Sequence, residues 1–439
     1  MGDTQIIEAD LTWVQGRFER DVKITVGSKG LIEAVGSSES TPTVRLRDRA
    51  ILPGMINAHS HAFQRGLRGH GETFGQSAGS FWSWRKAMYG LVDRMDEQTV
   101  YALSKQAFGE MLAAGITTVG EFHYLHHDEQ CEGYAFDEIV LKAAADAGIR
   151  IVLLNAYYAT GGIGEPLEGA QRRFGSVSLD AFWSQMDRLE ALIDHQTQSL
   201  GVVAHSIRAA NIEDIAALHE EAHRRRLVFH MHVEEQRKEI EDCVAHYGKR
   251  PMQLLNERLQ IDNRFTAIHC THTDSSDMAS YLAAGGNVCI CPLTEANLGD
   301  GIADVPQILE HNGRICLGTD SNARISFIEE MRWLEYVQRL AGERRGVCTD
   351  ESGNCARSLW QMATIHGANV LGINTGKIET GYAADLATID LNHPSLAGWS
   401  KDTLLDALVF GSSNEAIAGT CVNGRWIENA ASEQNPFSG

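Results

Sequence analysis

The chain has 439 residues, 58 of them acidic and 38 basic, for a formal net charge of −20. That balance argues against nucleic acid or an anionic membrane surface as partner, since both are met by an excess of lysine and arginine. Hydrophobic residues at 43% and charged residues at 22% allow a sizeable core and set aside disordered and low-complexity classes.

In chain order, residues 5–49 carry β-rich pieces, Val22-Lys-Ile-Thr-Val and Gly30-Leu-Ile-Glu-Ala-Val, with turn residues between them. From Ala50-Ile-Leu-Pro onward, short apolar runs alternate with helical stretches. Seven runs follow that first one, beginning at Gly115, Ile149, Gly201, Leu227, Thr266, Asn287 and Ile315. Eight buried strands separated by segments such as Asp180 to His195 and Ser275 to Ala284 predict an α/β fold, a (β/α)8 TIM-like barrel over residues 51–376. Residues 377–428 turn β-rich again, with Asp385-Leu-Ala-Thr-Ile-Asp and Ala418-Gly-Thr-Cys-Val-Asn-Gly-Arg-Trp-Ile. Residues 1–50 and 377–439 are expected to form one small β-sandwich domain outside the barrel, with Asn429 to Gly439 as a frayed end. No apolar run of about 18 residues and no basic-then-apolar leader occurs, so a cytoplasmic location without a membrane segment is expected. The nine cysteines read as reduced thiols, with Cys289 and Cys291 buried in a strand.

Nearly every apolar run ends in a polar or ionisable residue. His59-Ser60-His61 follows the first, and residues i and i+2 at a strand end point to one side, so two imidazoles can converge on one ion. His230-Met231-His232, His269 and Asp320 close later runs, each where a barrel presents its C-terminal face. Three histidines and a carboxylate make a catalytic metal shell with room for a water. Glu235, three residues past His232, can reach the same mouth as general acid/base. His123, His126 and His127 form a further cluster, read as lying outside the metal shell. Arg224-Arg225-Arg226 is read as a solvated helix end.

The order His59/His61, His232, His269 and Asp320 resembles the amidohydrolase superfamily. The narrower segments His59-Ser-His-Ala-Phe-Gln-Arg65, Ser80-Phe-Trp-Ser-Trp-Arg-Lys-Ala-Met-Tyr89, Glu121-Phe-His-Tyr-Leu-His-His-Asp128, His205-Ser-Ile-Arg208, His230-Met-His-Val-Glu-Glu-Gln236, Thr294-Glu-Ala-Asn-Leu-Gly-Asp-Gly301 and Arg332-Trp-Leu-Glu-Tyr336 resemble its N-formimino-L-glutamate deiminase (formimidoylglutamate deiminase) family. The resemblance implies one divalent metal ion, zinc the expected identity, held by His59, His61, His232 and Asp320, with His232 preferred to His230. Binuclear relatives use a modified lysine on the fourth strand, and Gly201-Val-Val-Ala-His-Ser has none, which supports a single ion. It also implies a homodimer and hydrolysis of N-formimino-L-glutamate to N-formyl-L-glutamate and ammonia in histidine degradation. Glu235, His269 and Asp320 are the catalytic set it implies. One departure is Asn322, where the family pattern has a histidine, so the hydrogen bonding behind Asp320 is expected to differ.

A diacid substrate requires cationic contacts, and the guanidinium fork matches a carboxylate with two parallel hydrogen bonds. Arg208, just past the fourth strand, and Arg85, in the insert after the first, are the candidates, with Trp84 positioning Arg85 and Trp82 packing. Gln64, Tyr124 and His205 supply neutral contacts. The alternatives within the fold are a deaminase of a purine, pterin or pyrimidine, or of another small amidine; a metal-binding protein without turnover is the non-enzymatic one.

Overall fold

The computed structural model describes residues 4–70, 72 and 81–427, with the backbone alone of Trp82. The expected frayed end at Asn429 to Gly439 lies outside these residues. Eight parallel strands run in sequence order around a barrel: β1 (Met55–Ser60), β2 (Ile116–His123), β3 (Arg150–Tyr157), β4 (Gln198–Ala204), β5 (Phe229–Val233), β6 (Phe265–His269), β7 (Asn287–Ile290) and β8 (Arg314–Leu317). β1, β2, β5, β6 and β7 are buried throughout, and β3, β4 and β8 hold every residue but one or two buried. That is why they read as continuous apolar runs: helices cover the outside and the barrel core fills the inside.

The strand order closes on itself where the chemistry is expected. β8 meets β1 through a bridge between Ser60 and Asp320, with the Thr319 and Asp320 amides donating to the His59 carbonyl at 3.0 Å and the His61 amide to the Asp320 carbonyl at 2.9 Å. Gly318 permits this approach, because a Cβ there would lie 2.7 Å from His59 Cβ and 2.8 Å from its carbonyl oxygen.

Helices alternate with the strands. Those at Glu97–Ala113, Leu179–Glu190, Ile212–Arg224 and Phe327–Gly342 are each opened by a side chain (Asp96, Ser178, Asn211, Ser326) that accepts from a first-turn amide. The Ile212–Arg224 helix ends in the basic cluster, where Arg224 and Arg225 pair with Glu221.

The second sheet is built from both ends of the chain. Its strand order is Arg425–Trp426, Ile417–Val422, Leu386–Asp390, Val44–Pro53, Gln5–Val14, Lys23–Val26, Ile32–Gly36, and Arg17–Glu19 makes a hairpin with Gln5–Val14. Leu386–Asp390 pairs directly with Val44–Pro53, and Ile7, Ile24, Val26, Ile32, Ile51 and Leu386 pack into a core separate from that of the barrel.

One expected strand is displaced. The run at Ala50-Ile-Leu-Pro belongs to this outer sheet, and the first barrel strand begins at Met55. The chain changes sheets at Pro53-Gly54: proline has no N–H to continue a ladder, and a Cβ on Gly54 would lie 2.2 Å from Thr117 Oγ1 of β2. No helix among the described residues is long and apolar enough to cross a membrane, and all nine cysteines are free.

Candidate active site and metal centre

At the C-terminal ends of the strands, one cleft is lined by His61, Gln64, Arg85, Tyr124, His205, Arg208, His232, Glu235, His269 and Asp320. His59 lies fully buried beneath it. Every residue expected from the sequence to act on metal or substrate is thus brought to one place.

His59, His61, His232 and Asp320 point one ligand atom each at a common centre. The Nε2 atoms of His59 and His61 each lie 3.3 Å from Asp320 Oδ1, and those of His59 and His232 lie 3.2 Å apart. A tetrahedron with bonds of about 2.0–2.1 Å has edges of about 3.3–3.4 Å, so these three separations match the edges of a zinc-sized shell. The tautomers agree. His61 Nδ1 donates to the Phe122 carbonyl at 2.8 Å and His232 Nδ1 to the His205 carbonyl at 2.9 Å, which leaves both Nε2 lone pairs facing inward. His59 Nδ1 is buried without a partner. Burial, reinforced by the neighbouring imidazoles, holds His59 and His232 well below their ordinary pKa and His61 at about 3, so the three rings are neutral and able to ligate.

His230, the competing ligand, lies outside this group and donates through Nε2 to the Val370 carbonyl at 3.0 Å. His123 and His126 are also elsewhere. They are buried rather than lodged in an open loop, at 3.0 and 2.8 Å from Asp137 Oδ1. Gln185 donates to the other oxygen of Asp137 at 2.9 Å. His127 bonds the Gly175 carbonyl at 2.7 Å.

The amidohydrolase family profile matches residues 50–427. The chain belongs to the amidohydrolase family. This amidohydrolase is 37% identical over 416 residues to a formimidoylglutamate deiminase of Pseudomonas aeruginosa, covering 93% of the chain and 91% of the relative. It is 28% identical to a 5-methylthioadenosine/S-adenosylhomocysteine deaminase of Moorella thermoacetica, over 86% and 81% of the two chains. Among solved structures, an amidohydrolase from Brucella melitensis superposes with a TM-score of 0.87 at 32% identity, over 96% and 94% of the chains. An adenosine deaminase from Xanthomonas campestris with bound zinc shares the fold, with a TM-score of 0.83 at 21% identity over 98% and 94%. The resemblance read from the sequence motifs therefore holds for nearly the whole chain.

Around this donor set of the amidohydrolase, Glu235 is buried and paired with Arg208, whose Nη2 lies 3.0 Å from Glu235 Oε2. The Nε of Arg208 faces Glu239 Oε2 at 3.0 Å. Burial opposes the charge of Arg208, and the two carboxylates more than offset it. Burial pushes Glu239 up to about 7 against the pull of Arg208. Arg85 lies on the helix Phe81–Val92 with its guanidinium 5.4 Å from the centre of the Tyr89 ring. Trp84, from the same helix, lines the cleft beside it. Gln64 Nε2 donates to the Tyr124 hydroxyl at 2.7 Å, which ties two of the expected neutral contacts to each other.

Asn322 completes the base of the shell. Its amide nitrogen donates to Ser60 Oγ and to the His61 carbonyl, both at 3.0 Å, and its oxygen accepts from Thr319 Oγ1 at 2.6 Å. Asp320 and Asn322 both have left-handed backbone, φ 46° and 54°, and these bonds hold that turn in place.

Several groups at the site were not assigned from the sequence. Tyr158 and Phe174 line the cleft. Glu121, fully buried, accepts from the Ala62 amide at 2.6 Å, just behind His61, and burial pushes it up to about 8. Glu295 Oε1 lies 3.2 Å from His269 Nδ1. Burial opposes a proton on His269, but this bond and the carboxylates of Glu235 and Asp320 push its pKa up to about 10. Glu121 and Glu295 sit inside motifs that are visible in the sequence; nothing short of their contacts distinguishes them from helix- or strand-end acids.

Proposed function

We propose that this amidohydrolase deiminates N-formimino-L-glutamate, releasing ammonia and N-formyl-L-glutamate, as a step of histidine degradation. The observation that carries the reading is one cleft holding a His3Asp donor set with neutral imidazoles together with Arg85, Arg208 and Glu235. The 37% identity to a formimidoylglutamate deiminase across nearly the whole chain supports it.

A divalent ion, zinc in this reading, would be held by His59, His61, His232 and Asp320, and when bound it supplies Lewis-acid activation of water at neutral pH. Glu235 takes the proton of the attacking water as a C–O bond forms at the formimino carbon, then passes it to the nitrogen that leaves as ammonia when the C–N bond breaks. His269 holds the attacking oxygen by a hydrogen bond, in line with its place opposite Asp320 Oδ2 at 3.9 Å. Arg85 and Arg208 hold the two carboxylates of the substrate, and Gln64, Tyr124 and His205 supply neutral contacts around it. A net charge of −20 repels a dianion at long range, so recognition rests on these local guanidinium groups. The reading includes a homodimer, carried over from the family resemblance, and a cytoplasmic location, expected from the sequence pattern.

The test is a side-by-side assay of zinc-loaded enzyme on N-formimino-L-glutamate and on 5-methylthioadenosine, adenosine and guanine. Ammonia and N-formylglutamate are expected from the first compound alone, with activity lost on chelation and restored by zinc. Release of formamide, or turnover of a purine compound without turnover of the amino-acid derivative, overturns the reading.

A further inference from the structure

Strand β7 brings no metal ligand or acid/base residue to the cleft, yet the segment that follows it touches the groups that do. The short helix Pro292–Leu298 and its continuation to Asp300 contact three neighbouring strand ends. Toward β8, the Thr294 hydroxyl bonds the Thr319 carbonyl at 3.2 Å and Ser321 Oγ at 3.0 Å, so it brackets Asp320 from both sides. Toward β6, Glu295 Oε1 receives His269 Nδ1 at 3.2 Å and the Cys291 amide at 2.9 Å. Toward β5, Asp300 accepts from the side-chain amide of Gln236, the residue after Glu235. The segment is itself anchored, since the Leu293 amide donates to the buried Glu330 at 2.9 Å and the Asp300 amide to the Glu295 carbonyl at 3.0 Å.

We propose that the Thr294–Asp300 segment is a positioning clamp for the catalytic groups, with Glu295 as the positioning residue that fixes the direction of the His269 ring. A carboxylate oxygen only accepts, so the ring nitrogen facing Glu295 carries the hydrogen and the Nε2 side of His269 is turned toward Asp320 and the reacting oxygen. Both bonds converge on Oε1. A Glu295→Gln change that keeps this oxygen in place preserves the bond to the Cys291 amide and removes the charge facing the imidazole. His269 has left-handed backbone, φ 72°, which costs energy outside glycine, and its ring is fixed here by a contact from the short helix after β7. The role in turnover rests on the proposed deiminase reading; the contact with His269 does not.

The experiment pairs kinetics with proton NMR. The far-downfield ring N–H resonance of His269, assigned by its loss in His269→Gln, is expected to move in Glu295→Gln and to stay in place in Asp300→Asn, in both metal-free and zinc-loaded protein. Turnover of N-formimino-L-glutamate is expected to show kcat about 10- to 100-fold lower in Glu295→Gln, with KM within about threefold. In the His269→Gln background the same change is expected to cost less than about twofold, because the effect passes through that ring. An unmoved resonance, an equal loss in both backgrounds, or a loss confined to KM overturns the proposal. Should Glu295→Gln fail to fold, Glu295→Asp takes its place, and failure of both to fold marks the segment as structural and refutes a positioning role. If the wild-type enzyme leaves N-formimino-L-glutamate intact while the resonance moves as expected, the deiminase reading falls and the contact with His269 stands.

Discussion

Asn322 shows what one residue contributes to this site. Its side chain donates twice and accepts once among Ser60, His61 and Thr319, and it is fully buried, so no water can replace a lost partner. Sequence comparison of motifs marks the position as unusual; only the contacts show that an amide there joins the strand bearing His59 and His61 to the turn bearing Asp320. Asn322→Asp tests this, because aspartate tolerates the same left-handed backbone and cannot donate when ionised. Metal affinity, measured by competition with a chromophoric chelator, is expected to fall about 10- to 100-fold, the usual effect of losing an outer-shell partner. Unchanged affinity would mean that the turn is held by its other contacts.

At the scale of elements, the alternation of apolar runs and amphipathic helices was legible because strands buried on both faces and helices buried on one leave different periodicities. The boundary at Ala50-Ile-Leu-Pro was misplaced, since a continuous apolar run looks alike in a barrel strand and in the outer sheet. The helix Ile212–Arg224 carries a testable consequence of burial. His219 lies 5.1 and 5.7 Å from the rings of Phe229 and Phe265, and burial lowers its pKa to about 4. In the window from about 6.5 down to 4 the unfolded chain therefore binds more protons than the folded one, so stability falls as pH falls through that range and this contribution levels off below it. His219→Leu is expected to show a shallower decline of the thermal unfolding midpoint between pH 6.5 and 4 than wild type, read by circular dichroism. Parallel profiles would assign the acid sensitivity to other buried histidines.

For the molecule as a whole, the joint between barrel and outer sheet is electrostatic as well as apolar. Arg150, at the start of β3, grips Asp385 beside the outer sheet with Nε at 2.6 Å and Nη2 at 3.1 Å, and the same carboxylate accepts from Thr375 Oγ1 at 2.9 Å and the Asn423 amide at 2.7 Å. Asp385 is 1% exposed. Removing one partner of a buried pair costs about 3–5 kcal/mol, so Asp385→Ala is expected to lower the unfolding midpoint clearly while kcat at 25 °C stays near wild type; coincident melting curves would contradict this. The sequence by itself determined the barrel, the outer sheet from both chain ends, and the histidines and aspartate that meet at the strand ends, because burial imposes periodicity and strand ends present alternate residues to one side. The tertiary structure alone decided which histidine of His230-Met-His232 faces the donor set, where the chain leaves one sheet for the other, and that Glu295, Asn322 and Glu239 support the groups at the site. Those choices depend on contacts between distant residues, such as Asn322 with Ser60, 262 positions apart, and no local pattern records a partner that distant.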